Sequence, residues 1–249
     1  GLRTAAAMIA IPMRRYMHVY GATSEDFARV SVAARRHAAT NPHALFHGRP
    51  ITVAEHQRSR MVADPFRLLD CCQESDGGVA FVVTRADRAR DLRQAGVRIL
   101  AAAQGSIGGQ VPMTDYYRED ITGYPESALV ARQLFAAAGI GPAEVQAAML
   151  YDHFGPTVLP QLEAYGFCAR GTAKDFVRDG GIEIGGRLPV NTHGGQLGEA
   201  YLHGMNGVTE AVRQLRGTAA NPVDGVHHVL VTGAPGTTTS GALFGRLNA

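Results

Sequence analysis

The sequence predicts an α/β layered fold, with a mixed, mostly parallel sheet covered by helices. Short apolar runs recur at 79–84 (VAFVVT), 97–103 (VRILAAA), 145–151 (VQAAMLY) and 228–231 (HVLV). Runs of this kind suit strands buried on both faces. Segments with apolar residues at helical spacing lie between them, punctuated by Pro and Gly. Strands that alternate with helices build a layered fold and a largely parallel sheet.

In chain order, residues 14–40 are basic and helical. Thr23 caps with Asp26 three residues on, and Phe27, Val30 and Ala34 share a face. Residues 41–66, rich in His, Arg and Pro, form a loop or a small excursion. Residues 79–84 follow a Gly-Gly pair and read as a buried strand, and 97–103 as a second one. Residues 104–124 are irregular. Pro125 opens a helix over 126–138 that stops at Gly139. The third strand, 145–151, leads into a helix through Leu159, Leu162 and Tyr165, closed by Gly166. Residues 171–181 form a loop or short helix. A helix over 204–216 has Val208, Ala211, Val212 and Leu215 as its apolar face and Gly217 as its stop. After the strand at 228–231, TGAPGTTTSG makes a glycine-rich turn. Residues 242–247 then return antiparallel, because the connection is short.

Composition narrows the function classes. The chain has 249 residues, 45% hydrophobic and 18% charged, with net charge +2. That length fits one large domain or two small ones. The charge gives no reason to expect nucleic acid. No apolar run reaches membrane-spanning length and no charged-then-apolar leader is present, so no membrane partner and a cytoplasmic location are expected. Cys71, Cys72 and Cys168 make neither a disulfide framework nor a CxxC metal site, so no metal is expected. The chain begins at Gly1 inside the apolar stretch LRTAAAMIAIP, as a piece of something longer would.

The chemistry concentrates in 190–207 (VNTHGGQLGEAYLHGMNG), a loop with five glycines that runs into a helix and carries His193, Tyr201 and His203. Backbone N–H groups in such a loop can face a ligand. Tyr151, His193 and Gly233 each follow a predicted strand, where ligands gather in α/β sheets. Asp152 is either an acid or the cap of the helix that follows. His153 and His203 are either scaffold or participants. Arg14, Arg15, Arg29, Arg35 and Arg36 make either a solvated face or a contact for a phosphorylated ligand such as coenzyme A.

Four blocks resemble the thiolase superfamily, in the right order and over nearly the whole chain. Residues 190–207 resemble its histidine loop, with Asn191, Gly194, Gly195, Gly204 and Gly207 in place and Tyr201 at the catalytic position. LLDCCQESDGGVAFVVT resembles the last strand region of the N-terminal half. YDHF at 151–154 resembles the block that opens with a catalytic histidine in sterol-carrier-type thiolases. TGAPGTTTSG stands where thiolases carry a cysteine followed by glycines. The resemblance implies a thiolase-like layered fold whose N-terminal half is largely missing. Residues 1–92 would be a loop-domain remnant with that half's last strand region, and 93–249 the C-terminal half.

The departures matter as much as the matches. Tyr201 and Tyr151 replace the two histidines, and Gly233 stands at the second cysteine position. This pattern is similar to the lipid-transfer-protein branch of steroid side-chain aldolases. It implies retro-aldol cleavage of a β-hydroxyacyl-CoA, such as a steroid side-chain thioester, to a ketone and a shorter acyl-CoA such as propionyl-CoA. Tyr201 would be the base and Tyr151 the acid, helped by His203, His193 and Asp152. Backbone N–H groups at Gly194, Gly195 and Gly233 would hold the thioester oxygen. No cofactor is implied beyond the coenzyme A of the substrate. The resemblance also implies a homodimer and an OB-fold, zinc-ribbon accessory protein completing a heterotetramer. Two alternatives stay open: a thiolase-type acyltransferase whose nucleophilic cysteine lies in the missing half, and a non-catalytic lipid- or acyl-CoA-binding subunit.

Overall fold

The computed structural model describes residues 2–108 and 113–247. The first helical region is two helices, α1 (Ala5–Tyr20) and α2 (Ser24–Thr40), parted at Gly21, which is left-handed at φ 68°. Thr23 and Asp26 form the expected reciprocal capping box, and Phe27, Val30 and Ala34 are buried. Pro12 sits inside α1 and cannot donate to the Met8 carbonyl. The Tyr116 hydroxyl donates to that carbonyl instead, at 2.7 Å.

The excursion after α2 contains α3 (Val53–Arg58) and a small hairpin of β1 (Met61–Ala63) and β2 (Phe66–Arg67). A single turn, α4 (Ala86–Ala89), precedes β3 (Val97–Ser106). Helix α5 (Pro125–Ala138) starts on its proline and stops at left-handed Gly139, as expected. β4 (Ala147–Met149), α6 (Val158–Ala164), α7 (Ala173–Arg178), α8 (Gly195–Gly198), α9 (Met205–Arg216), β5 (His228–Thr232) and β6 (Thr238–Arg246) complete the chain.

The main sheet runs β3-β6-β5-β4. It is mixed, but only β4 and β5 are parallel; β6 is antiparallel to both β5 and β3. The expectation of a mostly parallel sheet is therefore corrected. The cause is the short link from β5 to β6, together with pairing of β6 to β3 over nine positions. The glycine-rich turn is also shorter than expected, because Thr238–Ser240 already pair with Gln104–Ser106. Likewise, Gln104–Ser106 extend β3 into the stretch expected to be irregular; within that stretch, residues 109–112 lie outside the described residues.

Alternation along the strands feeds two cores. Leu230, Leu243, Ala148 and Ala101 join α1, α2, α5 and α6 residues in the larger one. Val229, Val231, Ala147, Met149 and Phe244 pack with Ala211 and Leu215 of α9 in the other. Both faces of β4 and β5 are covered, which explains their unbroken apolar runs. The larger core joins residues from both sides of position 92.

Two further expectations change. Residues 79–84 pair with no strand, and Val82 and Val83 are 91% and 75% exposed. The composition is that of a buried strand, but a strand needs neighbours for its backbone, and none lies beside this segment among the described residues. The buried face of α9 is also more polar than expected. Asn206, Glu210 and Gln214 are buried with Ala211 and Leu215, while Val208 and Val212 are half-buried. The polar residues meet the 190–199 loop. Thr192 donates to Glu210 at 2.6 Å, and Gln214 donates to Thr192 at 2.8 Å. Among the described residues, no helix is long and apolar enough to cross a membrane.

A buried carboxylate ties α1 to α6 and α7. Glu163 accepts from the fully buried Tyr16 hydroxyl, from the Ala173 N–H at 3.2 Å and from Arg170 at 3.5 Å. Burial and the neighbouring carboxylate keep the Tyr16 phenol protonated. Tyr16→Phe leaves that carboxylate one donor short and is expected to cost ~1–3 kcal/mol in urea unfolding. A loss within measurement error would show that the remaining donors suffice.

Candidate active site

The site forms where the β4 end, the β5 end and the glycine-rich loop meet. The loop enters beside β4: the Ala148 N–H donates to the Pro189 carbonyl at 3.0 Å, and the Asn191 N–H to the Ala148 carbonyl at 2.9 Å. The Asn191 side chain then donates to the Leu150 carbonyl at 2.9 Å. This places Tyr151, Asp152 and His193 around one cleft. Of the three residues expected to meet at strand ends, Gly233 does not line it, and His193 follows a run of turns with a single bridge at Val190 rather than a strand.

Tyr151 is clamped from behind. Its N–H donates to the Thr232 hydroxyl at 2.9 Å, and its carbonyl accepts from Gln161 at 2.8 Å. Thr232 in turn donates to Gln161 at 2.8 Å. The ring lies against Gly204, where a Cβ would come within 2.9 Å of it. Tyr201, fifty residues on, brings its hydroxyl to 3.1 Å from that of Tyr151. The Tyr201 hydroxyl also lies 3.4 Å from His203 Nδ1. Tyr151 is 5% exposed, and Tyr201 is half-buried. Burial, then the Tyr201 hydroxyl, raise the Tyr151 pKa well above the ordinary phenol value.

Asp152 does not cap the helix that follows it in sequence. Its Oδ1 accepts the N–H of Gln196, in the first turn of α8, at 2.8 Å. Burial pushes its carboxyl up to about 6, against the opposing effects of the Gln196 N–H and His193. Gly195 makes this approach possible: at φ 64°, its Cβ would fall 2.0 Å from Asp152 Oδ2.

The backbone oxyanion donors need correction. The Gly233 N–H donates to the Ser240 carbonyl at 2.7 Å, and the Gly194 N–H to the Asn191 carbonyl at 2.8 Å. Neither is open to a substrate oxygen. Instead, unpartnered polar atoms of buried side chains gather at the cleft. They include Gln196 Nε2, His193 Nδ1 and Asp152 Oδ2. Gln196 and Thr232 escaped sequence reasoning; Thr232, the first polar residue after the 228–231 run, was the visible signal.

Other candidates sit apart or are inert. Arg14 is exposed and lies 3.7 Å from Asp64, and Arg15 is exposed; neither lines this cleft. Arg36 pairs with Glu183 at 2.9 Å, and Arg35 stacks on Phe46 at 3.6 Å. His153 is pushed down to about 3 by burial, then by His203, and is therefore a neutral imidazole. Burial pushes the Cys72 thiol up to about 11, with Asp152 adding to the shift. Among the described residues, no cluster of His, Cys, Asp and Glu could hold a metal.

A thiolase-type half with phenols at its centre is what this fold and cleft define. The family model of thiolase C-terminal domain-like proteins matches residues 113–244, and the chain belongs to that family. It is 63% identical over 245 residues to the 17-hydroxy-3-oxo-4-pregnene-20-carboxyl-CoA lyase of Mycobacterium tuberculosis, covering 98% of this chain and 64% of that protein. It is 61% identical to a steroid side-chain-cleaving aldolase of Thermomonospora curvata, covering 98% of this chain and 63% of the relative. The solved structure of an "Ltp2-ChsH2(DUF35) aldolase" superposes with a TM-score of 0.98 at 60% identity, covering 100% of this chain and 65% of that one. The chain thus spans just under two thirds of these relatives.

The buried Asp152 sets a pH dependence. Its carboxyl is raised from an ordinary 3.8 to about 6, so the folded state binds the extra proton and stability falls as pH rises through that window. Asp152→Asn keeps the acceptor oxygen without the charge. Its stability relative to the parent should rise between about pH 4 and pH 6, by on the order of 3 kcal/mol. Urea unfolding at pH 4 and pH 7 tests this, and a pH-independent difference would refute it. Gly195→Ala should destabilise at either pH, because its Cβ collides with Asp152.

Proposed function

We propose that this chain carries the catalytic cleft of a carbon–carbon lyase of the thiolase superfamily. It would cleave a β-hydroxyacyl-CoA, a steroid side-chain thioester, by retro-aldol reaction. The Tyr151–Tyr201 hydroxyl contact at 3.1 Å carries this reading. The names of the relatives at 63% and 61% identity support it.

The reaction transfers one proton. Tyr201, acting as the phenolate, takes the β-hydroxyl proton as the Cα–Cβ bond breaks, the β-carbon becomes a ketone, and the electron pair passes to the thioester as an enolate. Tyr151, held as a phenol by burial, gives a proton to the α-carbon. The Tyr201–Tyr151 hydrogen bond returns the first proton to Tyr151, so both tyrosines end as they began. The products are a ketone and a shorter acyl-CoA such as propionyl-CoA. His203 Nδ1, 3.4 Å from the Tyr201 hydroxyl, supports Tyr201 in the base role. Gln196 Nε2 and His193 Nδ1 are the donors for the enolate oxygen. No cofactor beyond the coenzyme A of the substrate is needed.

In the full-length protein the lyase would act in the cytoplasm, as a homodimer joined by a zinc-ribbon, OB-fold accessory subunit in a heterotetramer. The paired name of the solved "Ltp2-ChsH2(DUF35) aldolase" supports a partner subunit.

Tyr201→Phe and Tyr151→Phe in the full-length protein should each lower kcat for a β-hydroxyacyl-CoA by ~10²–10⁴-fold. Near-native rates in both variants would sink the assignment.

A further inference from the structure

The two tyrosines belong to different parts of the chain, and one segment touches the backbone of Tyr201 and of the residues that follow Tyr151. Residues 71–78 leave the buried Asp70 and run from the 153–154 backbone to the backbone of Tyr201. At one end, Cys71 pairs with Phe154 in an antiparallel bridge, and the Cys72 N–H donates to the His153 carbonyl at 3.0 Å. These contacts fix the segment to the block that begins with Tyr151. Three residues beyond Cys71, Glu74 pairs with Tyr201 in a parallel bridge. The Tyr201 N–H donates to the Ser75 hydroxyl at 3.2 Å. Ser75 in turn donates to the Gln73 carbonyl at 3.0 Å, which orients its oxygen as an acceptor. Gly77 continues the contact: a Cβ there would lie 2.7 Å from the Leu202 side chain.

The loop that carries Tyr201 is otherwise anchored beside the tyrosine and not at it. Asn206 donates to the Ala200 carbonyl at 3.0 Å and to Glu199 at 3.1 Å. His203 and Gly204, both left-handed, turn the chain into α9. A phenol on such a loop swings about its own backbone unless that backbone is held, and a hydroxyl pair at 3.1 Å tolerates little swing.

We propose that residues 71–78 form a strap that sets the relative position of the two phenols, and that Ser75 is the positioning residue for Tyr201. The proposal rests on the lyase reading for its catalytic consequence, but not for the contact itself. Ser75 touches no reacting atom; it holds the backbone N–H of the residue that does.

The test compares Ser75→Ala, Ser75→Val and Ser75→Thr in the full-length protein. Threonine keeps the hydroxyl, and valine has the same shape without it. Hydrogen exchange of a peptide spanning Tyr201 reads the contact. Turnover of a β-hydroxyacyl-CoA reads its consequence. The alanine and valine variants should exchange faster at Tyr201 and lose ~10–10²-fold in kcat with KM essentially unchanged, and threonine should restore both. Unchanged exchange would overturn the strap. Faster exchange with native kcat would overturn the positioning role. Loss of folding in the alanine and valine variants would assign Ser75 to stability instead, and also overturn it. If the parent protein cleaves no β-hydroxyacyl-CoA, the lyase reading falls, and the exchange comparison still decides the strap.

Discussion

The end of β4 carries a carboxylate with almost no contact with water, and a glycine-rich loop must pass directly over it. A buried charge is tolerated only when paired or hydrogen-bonded. The Gln196 N–H supplies the bond to Asp152, and the loop reaches it because Gly195 has no side chain. The opposite side of the loop is equally crowded. A Cβ on Gly194 or on Gly198 would lie 2.6 Å from that of Ala38, in α2. The loop is therefore pressed between a helix of small residues and the strand end. Its path, and with it the place of His193 and Tyr201, follows from that squeeze.

Much of this arrangement is legible in the sequence where a local rule suffices. The Thr23 capping box, the Pro125 start and Gly139 stop of α5, and the reversal of β6 on β5 all follow from neighbours a few residues apart. The strand-end positions of Tyr151 and Gly233 are legible for the same reason, whereas His193 follows turns and a single bridge at Val190 rather than a strand. What escapes is decided by distant partners. Residues 79–84 have the composition of a core strand, yet their exposure depends on which backbone lies alongside. The Gly233 N–H looks open in sequence, and is occupied because β6 begins early enough for Ser240 to reach it. The polar face of α9 breaks the apolar pattern because it packs on a loop, not only on the sheet.

Chemically equivalent groups are set apart by where the fold leaves them. Tyr151 is gripped at its N–H, its carbonyl and its ring face, and burial makes its phenolate costly. Tyr201 sits nearer the surface, beside His203, on a loop that turns through two left-handed residues. Two identical side chains in unlike surroundings are the usual basis for dividing an acid role from a base role.

The groups around the phenols point the same way. A thiol pushed up to about 11 is protonated at neutral pH, so Cys72 is a poor nucleophile. An imidazole pushed down to about 3 is neutral, so His153 brings no charge to stabilise a thiolate. The described residues beside Tyr151 therefore offer no ready acyl carrier. They do offer two hydroxyls in hydrogen-bond contact, and unpartnered side-chain nitrogens of Gln196 and His193 within the same cleft. A proton can leave one oxygen and return to a carbon through such a pair without any covalent link to the protein. That is what the proposed retro-aldol step requires of the pair.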